Sequence, residues 1–375
     1  MTAVINRTRP RHLGVGTQGS RTRNRKQRAG KIKQQELAAF ARQLGALLHA
    51  GIPVVACLQS LSRQSRNPAL RELIDGLIGR IEGGESVSEA LTHYPRVFDD
   101  LFISMIRAGE SSGQLSEAAL RVAGFLQASV KLRRRVKSAM SYPAVVLSLA
   151  LVIATLMLIF IVPVFAKMFE GLDAALPGPT QFLINAGDFV RSRAPWLAAT
   201  FAAVIVIFRR WRRTPAGDYA MDRATLSVPV FGPLMQKVAV SRFARTFAEL
   251  TRCGVPILKT LEIVAGATGN RVLEHVVLGA RATVEEGRPL SCALEKSPHF
   301  PVMAIDMLAA GERAGKVDDM MSEVADFYDE EVEATLEGLM ALLEPFLIVL
   351  LGAIIGSIVV CMFLPIFKLP NAISV

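Results

Sequence analysis

The chain contains the stretch FARQLGALLHAGIP at residues 40–53 and a related stretch, FARTFAELTRCGVP, at residues 243–256. The offset of 203 residues between them also aligns Asn67 with Asn270, and a single deletion further along changes it to 202. A fixed offset kept over such a length is typical of an internal repeat. The chain therefore consists of two copies of one structural unit.

The apolar residues within each copy follow a helical pattern. In the first copy Leu37, Phe40, Leu44 and Leu47 recur at intervals of three or four, and Gly51 follows as a stop signal. Capping signals for further helices follow, and no alternating strand pattern competes with them. The sequence predicts an all-α protein with two homologous bundles of about six helices each.

Three apolar stretches are candidates for membrane spans, in a chain that is 51% hydrophobic. Residues 138–166 and 345–367 each exceed the roughly 20 residues that a helix needs to cross a bilayer. Residues 194–208 would form a helix of only about 22 Å, so Arg193 and Arg209 would have to extend towards the two interfaces. We expect three transmembrane helices.

The net charge of +10 is located in one place, because residues 1–35 contain ten Lys or Arg and no acid. Such a segment, with almost no large apolar residues, is predicted to be disordered. A DNA-binding arm is the alternative, but membrane orientation and attraction to anionic lipid explain the charge with fewer assumptions. We expect no nucleic-acid partner.

Two basic clusters predict the orientation of the chain in the membrane. KLRRRVK at 131–137 and RRWRR at 209–213 are expected on the cytoplasmic side by the positive-inside rule. The predicted order is a cytoplasmic tail at 1–35, a first cytoplasmic bundle at 36–137, a span at 138–166, a periplasmic loop at 167–193, a span at 194–208, a second cytoplasmic bundle at 209–344, a span at 345–367 and a periplasmic C-terminus at 368–375.

No catalytic, cofactor or metal site is predicted. The segment AGERAGKVDD at 309–318 resembles a phosphate-binding loop, but the interval between its glycines is one residue short and Val317 replaces the hydroxyl that would reach Mg²⁺. The first copy has Gln114 in place of Lys316. The cysteines form no C-x-x-C pair, the histidines are scattered, and the spans lack the ionisable residues of a transporter.

The A-G-E-x-x-G corners form the first group of candidate residues. A glycine of each corner is expected to end a helix in the left-handed conformation, and the glutamate to complement the N-terminus of the helix that starts just after it. A contact with a partner protein is the alternative. The residues are Gly109, Glu110 and Gly113 in the first copy, and Gly311, Glu312 and Gly315 in the second.

Opposite charges on the two membrane-proximal helices form the second group. We hypothesise that the acidic helix of the second copy lies against the basic helix of the first, within one chain or across a dimer, the alternative being solvated helix faces. A third group is a G-x-x-x-G pair that would pack against the chain's own spans or in a dimer. The charged residues are Lys131, Arg133, Arg135, Glu330, Glu333 and Glu337, and the glycines are Gly352 and Gly356.

From about Lys31 to Leu369 the chain resembles the polytopic inner-membrane platform proteins of type IV pilus assembly (PilC-like) and of type II secretion (F component). The resemblance is carried by the two A/C-G-I/V-P openings, the two corners, Ser141-Tyr142-Pro143 and LPIFKL at 364–369. The pilus branch is the more similar, whereas the basic tail is longer than expected for the family.

This resemblance implies a non-enzymatic scaffold in the bacterial inner membrane with a cytoplasmic N-terminus. Such a scaffold couples a cytoplasmic assembly ATPase to the insertion of pilin subunits at the pilus base, together with other inner-membrane pilus components, and forms a homodimer. The alternatives are the type II secretion F component and, more distantly, a membrane-tethered ATPase or a transporter.

Overall fold

The computed structural model describes residues 32–165, 178–229 and 231–373. Most of the predicted basic tail lies outside these ranges, and its last two residues already belong to the first helix. The first copy forms α1 (Gln34–His49), α2 (Val54–Gln64), α3 (Pro68–Glu82), α4 (Val87–Thr92), α5 (Asp100–Ser111) and α6 (Leu115–Leu156).

The second copy forms six counterparts in the same order. Two connecting helices, α7 and α8, come before it, and the described ranges contain no β-strand. The bounds are α7 (Gly178–Trp211), α8 (Pro215–Ser227), α9 (Phe231–Arg252), α10 (Ile257–Ala267), α11 (Arg271–Glu285), α12 (Leu290–Leu294), α13 (Val302–Ala314) and α14 (Val317–Ile373). The prediction of an all-α protein with two homologous bundles is confirmed.

The repeat is also visible in the helix caps. The Asn67 side chain accepts a hydrogen bond from the Ala69 backbone at the start of α3, at 3.0 Å. Asn270 accepts one from Val272 at the start of α11, at 2.9 Å. An asparagine at this position satisfies a backbone N–H that has no partner inside the helix. The two copies therefore begin equivalent helices by the same local chemistry.

The two bundles pack together as one body. Buried residues of both copies form one contiguous hydrophobic cluster, in which the ring of Phe243 contacts those of Phe247 and Phe300. Across the two copies, α6 contacts α9 and α14, while α5 contacts α9 and α10. The contacts of α5 and α6 with α9 and α10 join helices that are not counterparts in the repeat, so the interface is asymmetric.

Two helices run without interruption from a bundle into an apolar segment. Helix α6 continues through a π-helical turn at Met157–Ile161 to Phe165, and α14 is continuous throughout. By length and composition, Leu115–Phe165 and Val317–Leu364 could each cross a membrane. Their apolar parts expose large side chains, with Val145 63% and Val349 70% exposed. We expect this exposed apolar surface to face lipid.

Part of the segment predicted as a periplasmic loop, residues 167–193, is helical, while its position relative to the membrane stays a prediction. Residues 178–193 are helical and continue into the apolar stretch as part of α7, whereas residues 166–177 lie outside the described ranges. Polar residues in this segment suggested a loop, but they do not prevent a helix whose other residues pack. Leu183 and Ile184 lie against the ends of α6 and α14. Thr180 donates a 2.6 Å hydrogen bond to the Cys361 carbonyl.

The third predicted span, at residues 194–208, forms part of α7. It is not one of the two helices that satisfy the length and composition test, and it stays a prediction. The predicted periplasmic C-terminus at 368–375 also stays a prediction, and α14 is helical to Ile373.

Candidate functional site

The membrane-proximal ends of the two bundles meet in an apolar contact. Leu132 of α6 is buried together with residues of α9 and α14 in a cluster separate from the main core. Burying a leucine side chain contributes about 1.5–3 kcal/mol. The contact therefore fixes α6 against the second bundle just before both long helices become apolar. Its other buried members are Leu234, Val238, Val332, Leu336 and Leu339.

One salt bridge between the bundles lies beside this contact. Arg135 Nη1 and Glu333 Oε2 are 2.6 Å apart, with side chains 32% and 42% exposed. Arg133 instead donates to Gln34 at 3.2 Å, and Lys131, Glu330 and Glu337 are exposed and have no salt bridge within the described residues. Of the predicted set of charges, the structure joins one pair within the chain.

A cavity of about 690 Å³ lies between the bundles, lined by residues from the start of α5 and from α6, α9 and α10. Arg242 lines it and makes no hydrogen bond or salt bridge to the described residues. Burial, and to a lesser extent the charge of Arg133, lower the pKa of Arg242. Next to it, Arg245 forms salt bridges to Asp326 at 2.8 Å and to Asp329 at 2.7 Å.

Neither arginine is among the residues predicted from the sequence. A signal was present, because Arg245 has Arg42 as its counterpart in the first copy whereas Asp329 has Gln127. An arginine that occurs in both copies but has an acidic partner in only one indicates that the surface around it makes different contacts in the two copies.

The glutamates of the two corners bind helix N-termini, but not those predicted. Glu110 accepts hydrogen bonds from the backbone of Val87 at 2.7 Å and of Ser88 at 3.1 Å. Glu312 accepts the equivalent bonds from Leu290 at 2.6 Å and Ser291 at 3.3 Å.

These donors belong to α4 and α12, which precede the glutamates, whereas the prediction named the helices that follow. The reason is that α4 packs against α5, and α12 against α13. Burial raises the pKa of Glu110, but the hydrogen bonds from Ser88 and Val87 together outweigh it, so the pKa lies below its ordinary value.

The glycines of the corners have two different roles. Gly113 and Gly315 have φ of +72° and +67°, in the left-handed region where glycine is favoured. Gly109 and Gly311 are helical and lie under the next helix. A Cβ atom at Gly109 would be 2.2 Å from the Cβ of Ala118, and one at Gly311 would be 3.0 Å from the Cα of Val317. Each corner is a compact joint between two helices.

The joint in the second copy does not present a phosphate-binding loop. The Lys316 backbone N–H donates to the Gly311 carbonyl at 2.9 Å, and the Gly315 N–H donates to the same carbonyl. A phosphate loop needs such N–H groups free and convergent. Among the described residues, no group of three or more His, Cys, Asp or Glu could hold a metal ion.

The G-x-x-x-G pair of α14 lies on an open part of the helix. A Cβ atom at Gly352 or Gly356 would meet nothing within 4 Å. Packing against the chain's own spans and packing in a dimer therefore both stay predictions.

The profile of the type II secretion system (T2SS), protein F matches residues 40–163 and 243–365, which are the cores of the two copies together with their apolar helices. The chain belongs to this family. Its relatives include the type IV pilus assembly protein PilC of Myxococcus xanthus, 37% identical over 345 residues, which cover 92% of this chain and 83% of the relative.

Two further relatives represent both branches of the family. PilC of Thermus thermophilus is 40% identical over 342 residues, covering 91% of this chain and 84% of the relative. Protein F of the type II secretion system of Vibrio cholerae is 33% identical over 343 residues, covering 92% and 84%.

Proposed function

We propose that this chain is a non-enzymatic inner-membrane platform of type IV pilus assembly. It couples a cytoplasmic assembly ATPase to the insertion of pilin subunits at the pilus base, in contact with other inner-membrane pilus components. The relatives named PilC support the pilus branch, because they are 37% and 40% identical over nine-tenths of the chain.

The observation that carries this proposal is the continuity of α6 and α14. Each helix is anchored in a bundle by buried residues and runs unbroken into an apolar stretch. A displacement of the bundles is transmitted along such a helix to its membrane end, because the chain stays helical from the bundle into the apolar stretch, in α6 also across Pro143. Coupling of a cytoplasmic motor to subunits in the bilayer needs such a connection.

The proposed topology places both bundles in the cytoplasm. The cluster at 131–137 lies just before the apolar part of α6, and the cluster at 209–213 lies at the end of α7. Both hold these parts of the chain at the inner surface, with the N-terminus on the same side. The chain then crosses the membrane three times. A reporter fused within residues 214–340 and found outside the cytoplasm would contradict this arrangement.

Deletion of the gene tests the function. We expect surface pili to disappear while pilin remains in the inner membrane, since the proposed role lies in assembly and not in synthesis. The wild-type gene should restore pili when supplied in trans. Normal piliation of the deletion strain would overturn the proposal, and stoichiometric ATP binding by the purified chain would contradict its non-enzymatic part.

The second candidate is the F component of type II secretion. The family profile and the Vibrio cholerae relative at 33% identity favour it. The phenotype of the same deletion strain distinguishes the two functions. Exoproteins accumulating in the periplasm while pili remain normal would favour secretion over pilus assembly.

A further inference from the structure

The two bundles meet through unlike surfaces. The first bundle contributes a face of α6, and the second contributes a groove between α9 and α14. We call these the first-bundle face and the second-bundle groove. The face contains Phe125, Ala128, Leu132, Arg135, Val136 and Ala139. The groove contains Val238, Ser241, Arg242, Arg245, Asp329, Val332, Glu333 and Leu336.

The first bundle carries the same groove in an open state. A groove of about 350 Å³ lies between α1 and α6, and its lining residues are the repeat counterparts, one for one, of the second-bundle groove. Among the described residues, no helix of the second bundle fills it. This first-bundle groove consists of Gln35, Ala38, Ala39, Arg42, Gln127, Val130, Lys131 and Arg134.

The second bundle also carries an unused copy of the face, on α14. Phe327, at the position equivalent to Phe125, is 45% exposed. Val302 at the start of α13 is 73% exposed, whereas its counterpart Asp100 lines the cavity between the bundles. This second-bundle face consists of Phe327, Glu330, Ala334, Glu337, Gly338 and Ala341, and all six are exposed.

The two unused surfaces have complementary charges. The first-bundle groove holds Arg42, Lys131 and Arg134 and no acid, and none of the three has a salt bridge in the described part of the chain. The second-bundle face offers Glu330 and Glu337, which are equally unpaired.

The signs are the reverse of those in the occupied pair, where the basic Arg135 meets the acidic Glu333. In the second-bundle groove Glu337 of the face would meet Glu333, a like charge, whereas the first-bundle groove offers Lys131 at the equivalent position, so this reversal directs the acidic face to the first-bundle groove.

We infer that a second copy of this chain inserts its second-bundle face into the first-bundle groove, with Glu337 of one copy beside Lys131 of the other. The contact within the chain and the contact between chains are then two versions of one interface. The inference rests on the proposed function and gives a surface to the homodimer that the sequence resemblance implies, and its test does not involve pili.

The membrane determines how such contacts repeat. Both long helices of each copy must stand in the same bilayer, so neighbouring copies are related by rotation about an axis close to the membrane normal. An interface between unlike surfaces closes into a ring when its rotation permits, and otherwise forms a filament. Two copies that fill each other's grooves give a closed ring of four bundles.

Charge reversal in separate copies tests the contact with full-length protein in lipid nanodiscs. We expect Lys131→Glu or Glu337→Lys alone to weaken self-association about tenfold, because each reversal replaces an attraction with a repulsion at both contacts of the ring. A mixture of the two variants should associate like the wild type. In the mixed pair one contact has both charges reversed and the other is native. Pull-down between differently tagged copies measures how strongly the mixed variants associate compared with each variant alone.

The controls are Arg107→Glu and Glu295→Lys, which lie on exposed residues without salt bridges outside both surfaces. They should leave self-association unchanged. Lys131→Cys in one tagged copy and Glu337→Cys in the other should give an oxidised band carrying both tags, which the unsubstituted chain under the same oxidant does not give.

The inference fails if the mixed variants associate no better than each variant alone. It also fails if the mixed-tag disulfide does not form in an assembled oligomer, or if the wild-type chain is monomeric in nanodiscs. If another component occupies the first-bundle groove, the mixed variants would associate no better than each variant alone. Loss of piliation with unchanged self-association would instead concern the proposed function.

Discussion

Arg135 and Glu333 stand two hundred residues apart in the sequence, yet their side chains form a 2.6 Å salt bridge that joins the first bundle to the second. The bond lies beside the apolar contact around Leu132, immediately before both long helices become apolar. It links the two copies at the point where movement of one bundle relative to the other would alter the relation between α6 and α14.

Reversing one member of this pair should impair the protein, and reversing both should restore it. We expect a coupling energy of about 0.2–1 kcal/mol between Arg135→Glu and Glu333→Lys, because both side chains are partly exposed. A double-mutant cycle on the thermal unfolding of the detergent-purified chain measures it. If the double variant loses as much stability as the two single variants together, the pair is not coupled.

Neutralising a corner glutamate should cost more than the 0.3–1 kcal/mol expected for a surface charge near a helix end. Glu110→Gln and Glu312→Gln each remove a half-buried carboxylate that accepts two backbone hydrogen bonds. We expect a loss of about 1–3 kcal/mol, seen as a lower Tm. Glu117→Gln, on an exposed residue, is the control and should change stability by less than about 0.5 kcal/mol. A Glu110→Gln chain with wild-type Tm but without pili would indicate a partner contact instead.

The acid side of the stability profile should depend on Glu110. Its pKa is lower in the folded chain than its ordinary value, so the folded state favours the carboxylate. The resulting stability is fully present above the ordinary carboxyl range and is lost as the pH falls through the lowered pKa. Thermal scans below about pH 5 should therefore show a shallower decline for Glu110→Gln than for the wild type. Parallel declines would contradict this role.

The corner glycines Gly109, Gly113 and Gly315 should differ in how much stability they lose on substitution by alanine. Gly109→Ala should be the most costly, at about 1–3 kcal/mol or more, because its Cβ would overlap Ala118. Gly113→Ala and Gly315→Ala meet open space and should cost about 1–2 kcal/mol through their left-handed backbone alone. Gly124→Ala, in open space within α6, should be neutral or stabilising. Equal effects at Gly109 and Gly124 in thermal unfolding would rule out this account.

Alanine in the G-x-x-x-G pair should leave the stability of the chain intact. A Cβ atom at Gly352 or Gly356 has no neighbour within 4 Å, so the substitutions remove no contact within the chain. We expect the free energy of unfolding to stay within about 0.5 kcal/mol of the wild-type value, and the Tm to change little. A large fall in Tm for the monomeric chain in detergent would mean that another span of the same chain packs there.

Local sequence patterns are enough to predict the repeat, the helical class, the two long apolar helices and a left-handed glycine in each corner. Each of these follows from residues close together in the chain. Helical periodicity repeats within a few residues, an asparagine caps the helix that it begins, and a glycine adopts a backbone that other residues resist. The polar start of α7 was missed because its helical contacts lie with distant parts of the chain.

Tertiary packing determines which helix each corner glutamate binds and which acid of the charged set pairs with Arg135. It also places Arg242 in the cavity between the bundles, where it has no hydrogen-bond or salt-bridge partner among the described residues. These relations join residues more than twenty positions apart. They depend on which helix faces pack, because two helices with suitable charges can meet in several registers of similar energy. The burial of Leu132 against α9 and α14 selects one register, and the salt bridge follows from that choice.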